Sequence, residues 1–543
     1  MAGPSENQQT KILSEATVVR ADQVSVEIHG YCHTSSGQIS TMISSGRSHE
    51  VINLGGNFVV VARRNNEVWI ITSPYGVVAY FYSLGPRGFS HGKNVLDVLR
   101  NDDAEWRWNV EGVADLFALE HLTGCMTLHA GVKRTPAASI LHWDGKLLRR
   151  MDATWSEVHR PYAARGSADR MVDLLCEEVA RCAGSAPVLS ASGGFDSRVL
   201  LAAFLASGLK PDLVVQGNPD SSDRVVVEAI GRRFGLKVHS IALSVEDYLD
   251  SADKICTTTN GTKPAGHWHT YIYASKAGLT ENDHFFVGAN GEFARTYFLD
   301  KGMLSLAANG LPPGLALREF WKRKAKPALK ADELPGVRAD VADYLRGGVG
   351  QQATRLAHAR PGGSTLHQLD HFYLEERVRH FVGNGLALYG LSTAWRTPFL
   401  SAPWIAEADR LPRSWKLGAN WHRHAIARLQ PELLDYPEEH VALTMARRHA
   451  PLYWLPRRRR QPVVPYVDYK MVFSDKRMLS LLVDNACYME DLIDGKTVRK
   501  IVDEHRSSGT RQRAISILTG IAVWRRNVSL AGASQSPAQA RAS

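Results

Sequence analysis

The stretch VLSASGGFDSR, Val188 to Arg198, constrains this chain more than any other. A short apolar run stops at Ser-Gly-Gly, and Phe-Asp-Ser then opens a run of helical character. That order predicts a strand over Pro187–Ser190, a tight turn, and a helix over Ser197–Ser207 closed by Gly208. The pattern continues with a strand at Asp212–Gln216, a helix over Asp223–Phe234 ending at Gly235, and a strand at Lys237–Ala242. Alternating strands and helices imply an α/β layer with a parallel sheet. Gly193 and Gly194 carry no Cβ, so the turn can lie close to a ligand. Its amides and the following helix N-terminus form an anion cradle, to which Ser190, Ser192 and Ser197 add hydroxyls. Asp196 is out of place in an anion site unless a divalent cation stands between it and the anion. Neither a Walker-type glycine-lysine loop nor GxGxxG occurs.

At 543 residues the chain exceeds what one core supports, roughly 250–300 residues, so two domains are expected. Its 44% hydrophobic and 22% charged residues exclude wholesale disorder. No apolar run approaches the ~18 residues of a membrane helix, and MAGPSENQQT lacks an apolar signal core, so a cytoplasmic protein without a membrane partner is expected. A net charge of +10 is mild for this length. Without an aromatic–basic stacking pattern it predicts no nucleic-acid partner. The cysteines (Cys32, Cys125, Cys176, Cys182, Cys256, Cys487) form no CxxC pair, so reduced thiols are expected.

The first ~150 residues read as strands and turns. Phe58–Ala62 and Val68–Thr72 flank Arg63–Glu67 as a hairpin with Asn65-Asn66 at its tip, and a turn at Ser73–Gly76 leads to a further aromatic strand. Beyond ~300 the chain reads as helical, punctuated at Gly310–Gly314, Gly347–Gly350 and Pro361–Gly363. SLAGASQSPAQARAS at the end reads as a disordered tail. The expected divisions are 1–160, 161–530 and a tail at 531–543.

SGGFDS resembles the SGGxDS loop of the pyrophosphate-loop ATPases. GGNFVVVARR…IITSPYGVVAYFY, Thr123–Gly145, FFVGANGEFAR and AWRTPFLSAPWIAEADRLP narrow the resemblance to asparagine synthetase-like enzymes, over most of residues 50–430. It implies an α+β Ntn-type amidotransferase-like sandwich, then an α/β ATPase domain of HUP type with a helical C-terminal part. It also implies ATP bound over Ser190, Ser192, Gly193, Gly194, Asp196, Ser197, Gln216, Gly217 and Gly288, with Mg²⁺ on Asp196 and Glu292. Asn57 and Ser73 stand where the family has aspartates, Glu292 where it has an aspartate, and Ser401 where it has another. Asp223 and Glu228 fit the group's next helix.

A class II glutaminase needs cysteine as its first residue after methionine removal, and this sequence begins Met-Ala-Gly-Pro-Ser. The resemblance therefore implies an enzyme that takes its amine elsewhere, as β-lactam synthetases and lasso peptide cyclases do. His371–Gly390 resembles the cyclases. Ala289 replaces the β-lactam synthetase's tyrosine and the asparagine synthetase's glutamate. The expected reaction adenylates an Asp or Glu side chain of a leader-cleaved precursor peptide and closes a macrolactam on its N-terminal amine. A leader peptidase and a leader-binding protein are expected associates. Arg447, Arg448 and Lys416 are candidates for a cation stabilising the adenylation transition state, and Glu375 and Glu376 for a general base. Arg457–Arg460 is a candidate anion-holding loop. The other readings are a small-molecule amide ligase of asparagine or β-lactam synthetase type, a tRNA-modifying pyrophosphate-loop ATPase, and a non-catalytic scaffold.

Overall fold

The computed structural model describes residues 24–102, 105–153, 166–295, 297, 329–348, 350–351, 365–416, 419–437 and 464–533. The predicted hairpin forms as β2 (Gly56–Arg64) and β3 (Glu67–Thr72), with Asn65 left-handed at its tip. With β1 (Ser25–Cys32), β7 (Ser139–Trp143) and β8 (Leu148–Asp152) they make an antiparallel sheet in the order β1-β2-β3-β7-β8. The aromatic strand after Ser73–Gly76 begins at Phe81, as β4 (Phe81–Gly85). It pairs with β5 (Gly88–Gly92) and β6 (Lys133–Arg134) in a second, smaller sheet.

Strand β2 is buried on both faces, which is why its apolar run is unbroken. Phe58, Val60 and Ala62 pack under α1 (Ser36–Ser44) and α2 (Ser48–Val51), through Ile39, Ile43 and Val51. Val59 and Val61 face the other way, with Tyr80, toward Tyr82 and Phe89 of the small sheet. Phe81 turns from that layer into α3 (Val95–Asp102) and α4 (Val110–Leu119). The layers therefore run helix, sheet, sheet, helix. These four helices correct the expectation of strands and turns alone. Helix α4 is buried nearly all round, so it has no amphipathic period to read.

The parallel sheet forms as expected from β9 (Pro187–Ser190), β10 (Asp212–Gln216), β11 (Val238–Ile241), β12 (His284–Phe286) and β13 (Ala394–Arg396). Its order, β11-β10-β9-β12-β13, reverses direction between β9 and β12. Around it lie α5 (Ala168–Cys182), α6 (Phe195–Ala206), α7 (Ser222–Phe234), α8 (Val245–Thr258) and α9 (His269–Lys276). Gly235 caps α7 at φ 62°, as the sequence implied. Farther on, Thr365–Phe372 is α-helical, Tyr373–Val382 widens into π-helix, and Gly383–Tyr389 returns to α. The last helix, Gln512–Ala533, absorbs Ser529–Ala533 of the expected tail. The rest of that tail, the motifs at Gly310–Gly314 and Pro361–Gly363, and Arg447, Arg448 and Arg457–Arg460 lie outside the described residues.

The cores interpenetrate. Val98 and Phe117 share a cluster with Leu482 and Ile521, and Trp106 meets Trp524 edge-on at 5.1 Å. Buried Arg134 donates to the carbonyls of Gly76 (2.7 Å) and Arg379 (2.9 Å), tying the antiparallel half to the π-helical stretch. All six cysteines are free. Among the described residues no helix is long and apolar enough to cross a membrane.

Candidate functional site

The turn between β9 and α6 is built by its own side chains. The Ser197 hydroxyl accepts from the Ser192 amide (3.1 Å), and the Ser192 hydroxyl accepts from the Gly194 amide (3.1 Å). The Gly193 amide donates to the Asp223 carboxylate from α7 at 2.5 Å. A carboxylate oxygen thus occupies the hydrogen-bonding position of this amide. Neither Gly193 nor Gly194 has a positive φ, so close approach rather than left-handed backbone is what glycine supplies here. The Ser190 hydroxyl pairs with the Tyr273 hydroxyl at 2.6 Å, and Tyr273 meets Tyr389 at 3.1 Å. Arg198 is buried and donates to the carbonyls of Gly193 (2.6 Å) and Pro437 (2.7 Å), clamping the turn from behind.

Asp196 stands in the first turn of α6. Its Oδ1 is 2.8 Å from His422 Nε2 and its Oδ2 accepts from Arg295 at 2.8 Å. Burial alone would raise its pKa. Arg295 and then His422 outweigh that and hold the carboxyl below its ordinary value. The loop after β12 lies across this turn: a Cβ on Gly288 would stand 3.1 Å from Asp196 Cβ, and one on Gly291 would collide with the Asp196 carboxylate. Asn290 turns that loop at φ 73° and anchors it through Nδ2 to the Phe399 carbonyl at 2.8 Å. Glu292 follows, and its Oε2 accepts from the Tyr373 hydroxyl at 3.1 Å. Burial, and next the charge of Asp196, push its pKa up. Two half-buried carboxyls thus feel each other's charge, one held below its ordinary pKa and the other pushed above it.

At the end of β10, Gln216 is buried with its Nε2 unpaired, and Gly217 has φ 141°, a backbone only glycine adopts easily. A Cβ there would collide with Ser221. Lys416 is buried, donates to Asp370 at 3.1 Å and lies 4.7 Å over the Phe293 ring, beside Glu292 in sequence.

Glu376 accepts from the Gly124 amide at 2.7 Å in the antiparallel half, a bond that joins the two halves. Glu228 is on the surface of α7, paired with Arg224 at 2.7 Å. His422 and Arg295 hold Asp196 without having been assigned a role from sequence. Their partners are 226 and 99 residues away, and no local spacing announces such pairs.

In the antiparallel half, Asn57 Nδ2 donates to the Tyr31 hydroxyl (3.2 Å) and Thr397 Oγ1 (3.3 Å), and the Ser73 hydroxyl accepts from the Phe58 amide (3.1 Å). Both side chains are buried; Asn57 ties the halves together through Thr397, and Ser73 closes the turn after β3 onto β2.

No family model matches the chain, and no curated protein matches it. Among solved structures, NMN synthetase from Francisella tularensis matches at 14% sequence identity over 41% of this chain and 94% of that one, with a TM-score of 0.19. At that score the likeness assigns no residue a role, and the site stands on its own geometry.

Proposed function

We propose that this chain is an AMP-forming, ATP-dependent amide ligase acting on a peptide, closing a macrolactam in the manner of the lasso peptide cyclases. One observation carries the proposal: the SGGFDS turn after β9 and the Gly288–Glu292 loop after β12 meet where the strand order reverses. In open α/β sheets that crevice, at the carboxyl ends of the strands, is where ligands bind. The division at about residue 160 and the amidotransferase-like character of the first part belong to the same proposal. The helix–sheet–sheet–helix layering supports them, with Asn57 and Ser73 spent on packing.

The donor set suits ATP and Mg²⁺. The Gly193 amide already holds an anionic oxygen, and Asp196 and Glu292 offer hard oxygen ligands whose mutual repulsion a cation would relieve. Asp196 and Glu292 would hold the ion once Arg295 yields an Asp196 oxygen. When bound, the ion neutralises phosphate charge. Tyr373 fixes the Glu292 carboxyl, and Arg198 fixes the turn beneath the phosphates. An Asp or Glu side-chain oxygen of the peptide bonds to the α-phosphorus as the bond to the β-phosphate oxygen breaks, releasing pyrophosphate. The N-terminal amine then bonds to the acyl carbon, AMP leaves with the acyl oxygen, and the amine proton passes to solvent. The protein's contribution is positioning and charge neutralisation.

The test is to mix the full chain with a leader-cleaved precursor peptide, ATP and Mg²⁺. A product lighter by one water, with AMP released, is expected. ADP release would overturn the adenylation reading. Activity confined to free amino acids would replace the peptide with a small molecule, and a salt-sensitive tRNA shift would favour a tRNA substrate.

A further inference from the structure

We propose that His367, His371 and Asp409 form a binding site for one zinc-class divalent ion, separate from the Asp196–Glu292 pair and independent of the adenylation reading. His367 and His371 stand one turn apart on the α-helix Thr365–Phe372 and so share a face. Asp409 ends the helix Ala402–Asp409, which brings its carboxylate to that face. His367 Nδ1 lies 3.3 Å and His371 Nε2 3.1 Å from the same oxygen, Asp409 Oδ1. A four-coordinate ion with bonds of about 2.0–2.1 Å holds its ligands roughly 3.3 Å from one another, so both imidazole–carboxylate distances already suit one, and all three ligand atoms lie within 4.8 Å of one another.

Three further features fit. The side chains of His371 and Asp409 are only 1% and 7% exposed, so they are already withdrawn from competing water. Behind His371, Glu375 Oε1 lies 3.5 Å from Nδ1. With an ion displacing the Nε2 proton, a shift of a few tenths of an ångström would let Nδ1–H donate to Glu375, the usual support of a metal-bound imidazole. Two imidazoles and one carboxylate select zinc-like ions, since magnesium prefers oxygen alone and softer ions prefer thiolate. Three protein ligands leave a fourth position for water.

The site's place gives the ion a purpose. His371 packs edge-on against Phe293 at 6.3 Å, next to Glu292, and its neighbour Asp370 holds Lys416. An ion here pins the helix carrying both contacts to the helix Ala402–Asp409, behind the Glu292 loop. Its role is to hold that wall in place.

The experiment uses the full chain, stripped with a chelator and titrated with zinc. About one equivalent should bind, raise the melting temperature, and be replaceable by cobalt(II) with the visible bands of a four-coordinate ion. His367→Ala, the more exposed ligand, should reduce bound zinc to near zero while the stripped variant melts like stripped wild type. Glu375→Gln should weaken zinc binding by about tenfold. His33→Ala, in the separate His33–Glu178–Cys182 cluster, should leave zinc binding unchanged. Equal zinc binding by His367→Ala, or a wild type whose melting ignores zinc, would overturn the site and leave a plain Asp–His hydrogen-bonded cluster.

Discussion

Both halves of this molecule end β-strands in turns near glycine, and they use those turns in opposite ways. At the start of β2 and just past β3, Asn57 and Ser73 are neutral and buried, and their hydrogen bonds are to protein groups: Asn57 Nδ2 donates to Tyr31 and to Thr397 of the other half, and the Ser73 hydroxyl accepts from the Phe58 amide. Beyond β9 and β12 stand Asp196 and Glu292, half-buried carboxyls: Arg295 and His422 hold Asp196, and the Tyr373 hydroxyl holds Glu292. A buried neutral hydrogen bond is closed to ligands, because exchange leaves an orphan behind. A half-buried carboxylate held by side-chain cations is open to exchange, because another cation can take their place. On the proposed function, the difference separates a packing surface from a working one.

The sharpest way to break this comparison is Asp196→Ala. ATP–pyrophosphate exchange should fall about a thousandfold, roughly 4 kcal/mol of transition-state stabilisation, with an unchanged circular-dichroism spectrum. Retained exchange would remove the parallel-sheet end as the working surface. Asn57→Leu should do the reverse: urea unfolding should show a loss of about 1 kcal/mol, from two lost hydrogen bonds to Tyr31 and Thr397, which keep their bonds to each other, while exchange below the melting temperature stays intact.

Gly291→Ala should lower exchange about tenfold with little change in melting, since its methyl displaces the Asp196 carboxylate but opens no core. Lys263 offers a smaller, pH-dependent effect. Burial, and then Arg377, push its pKa down to about 7, and it has no carboxylate partner among the described residues. The unfolded chain, with an ordinary lysine near ~10.4, binds more protons between those values, so stability rises with pH across that window. Lys263→Met should flatten the slope and be the more stable protein at pH 6, by about 1 kcal/mol. Glu228→Ala, which loses the Arg224 pair and the Ser240 hydrogen bond, should change stability by less than about 1 kcal/mol.

What the sequence disclosed was local. Strand, glycine turn and helix at Val188–Arg198 are read from neighbours, and β10 falls on the predicted Asp212–Gln216 because turn residues bound it. The capping box of Ser35 and Gln38 was a legible sign of α1, though nine residues give little period to support it. Glu376 on Gly124 and His422 on Asp196 were not legible, because each pairing depends on how distant segments pack. The His367–His371 spacing was visible in the sequence. Its significance rests on Asp409, a residue that only the fold brings near.

The π-helical stretch Tyr373–Val382 has a consequence for insertions and deletions. On one side of it Tyr373 reaches Glu292, and farther along Arg379 and His380 grip the Gly124 carbonyl at 2.9 and 3.0 Å. Wide π turns accommodate an extra residue within a continuing helix. Removing one residue can therefore be taken up by tightening one wide turn to ordinary winding, with the residues beyond it kept near their present phase. Tyr373 and the Arg379–His380 pair would draw closer along the axis and still face their own halves. This rod can absorb a single-residue change in length that a uniform α-helix would convert into a rotation of everything downstream.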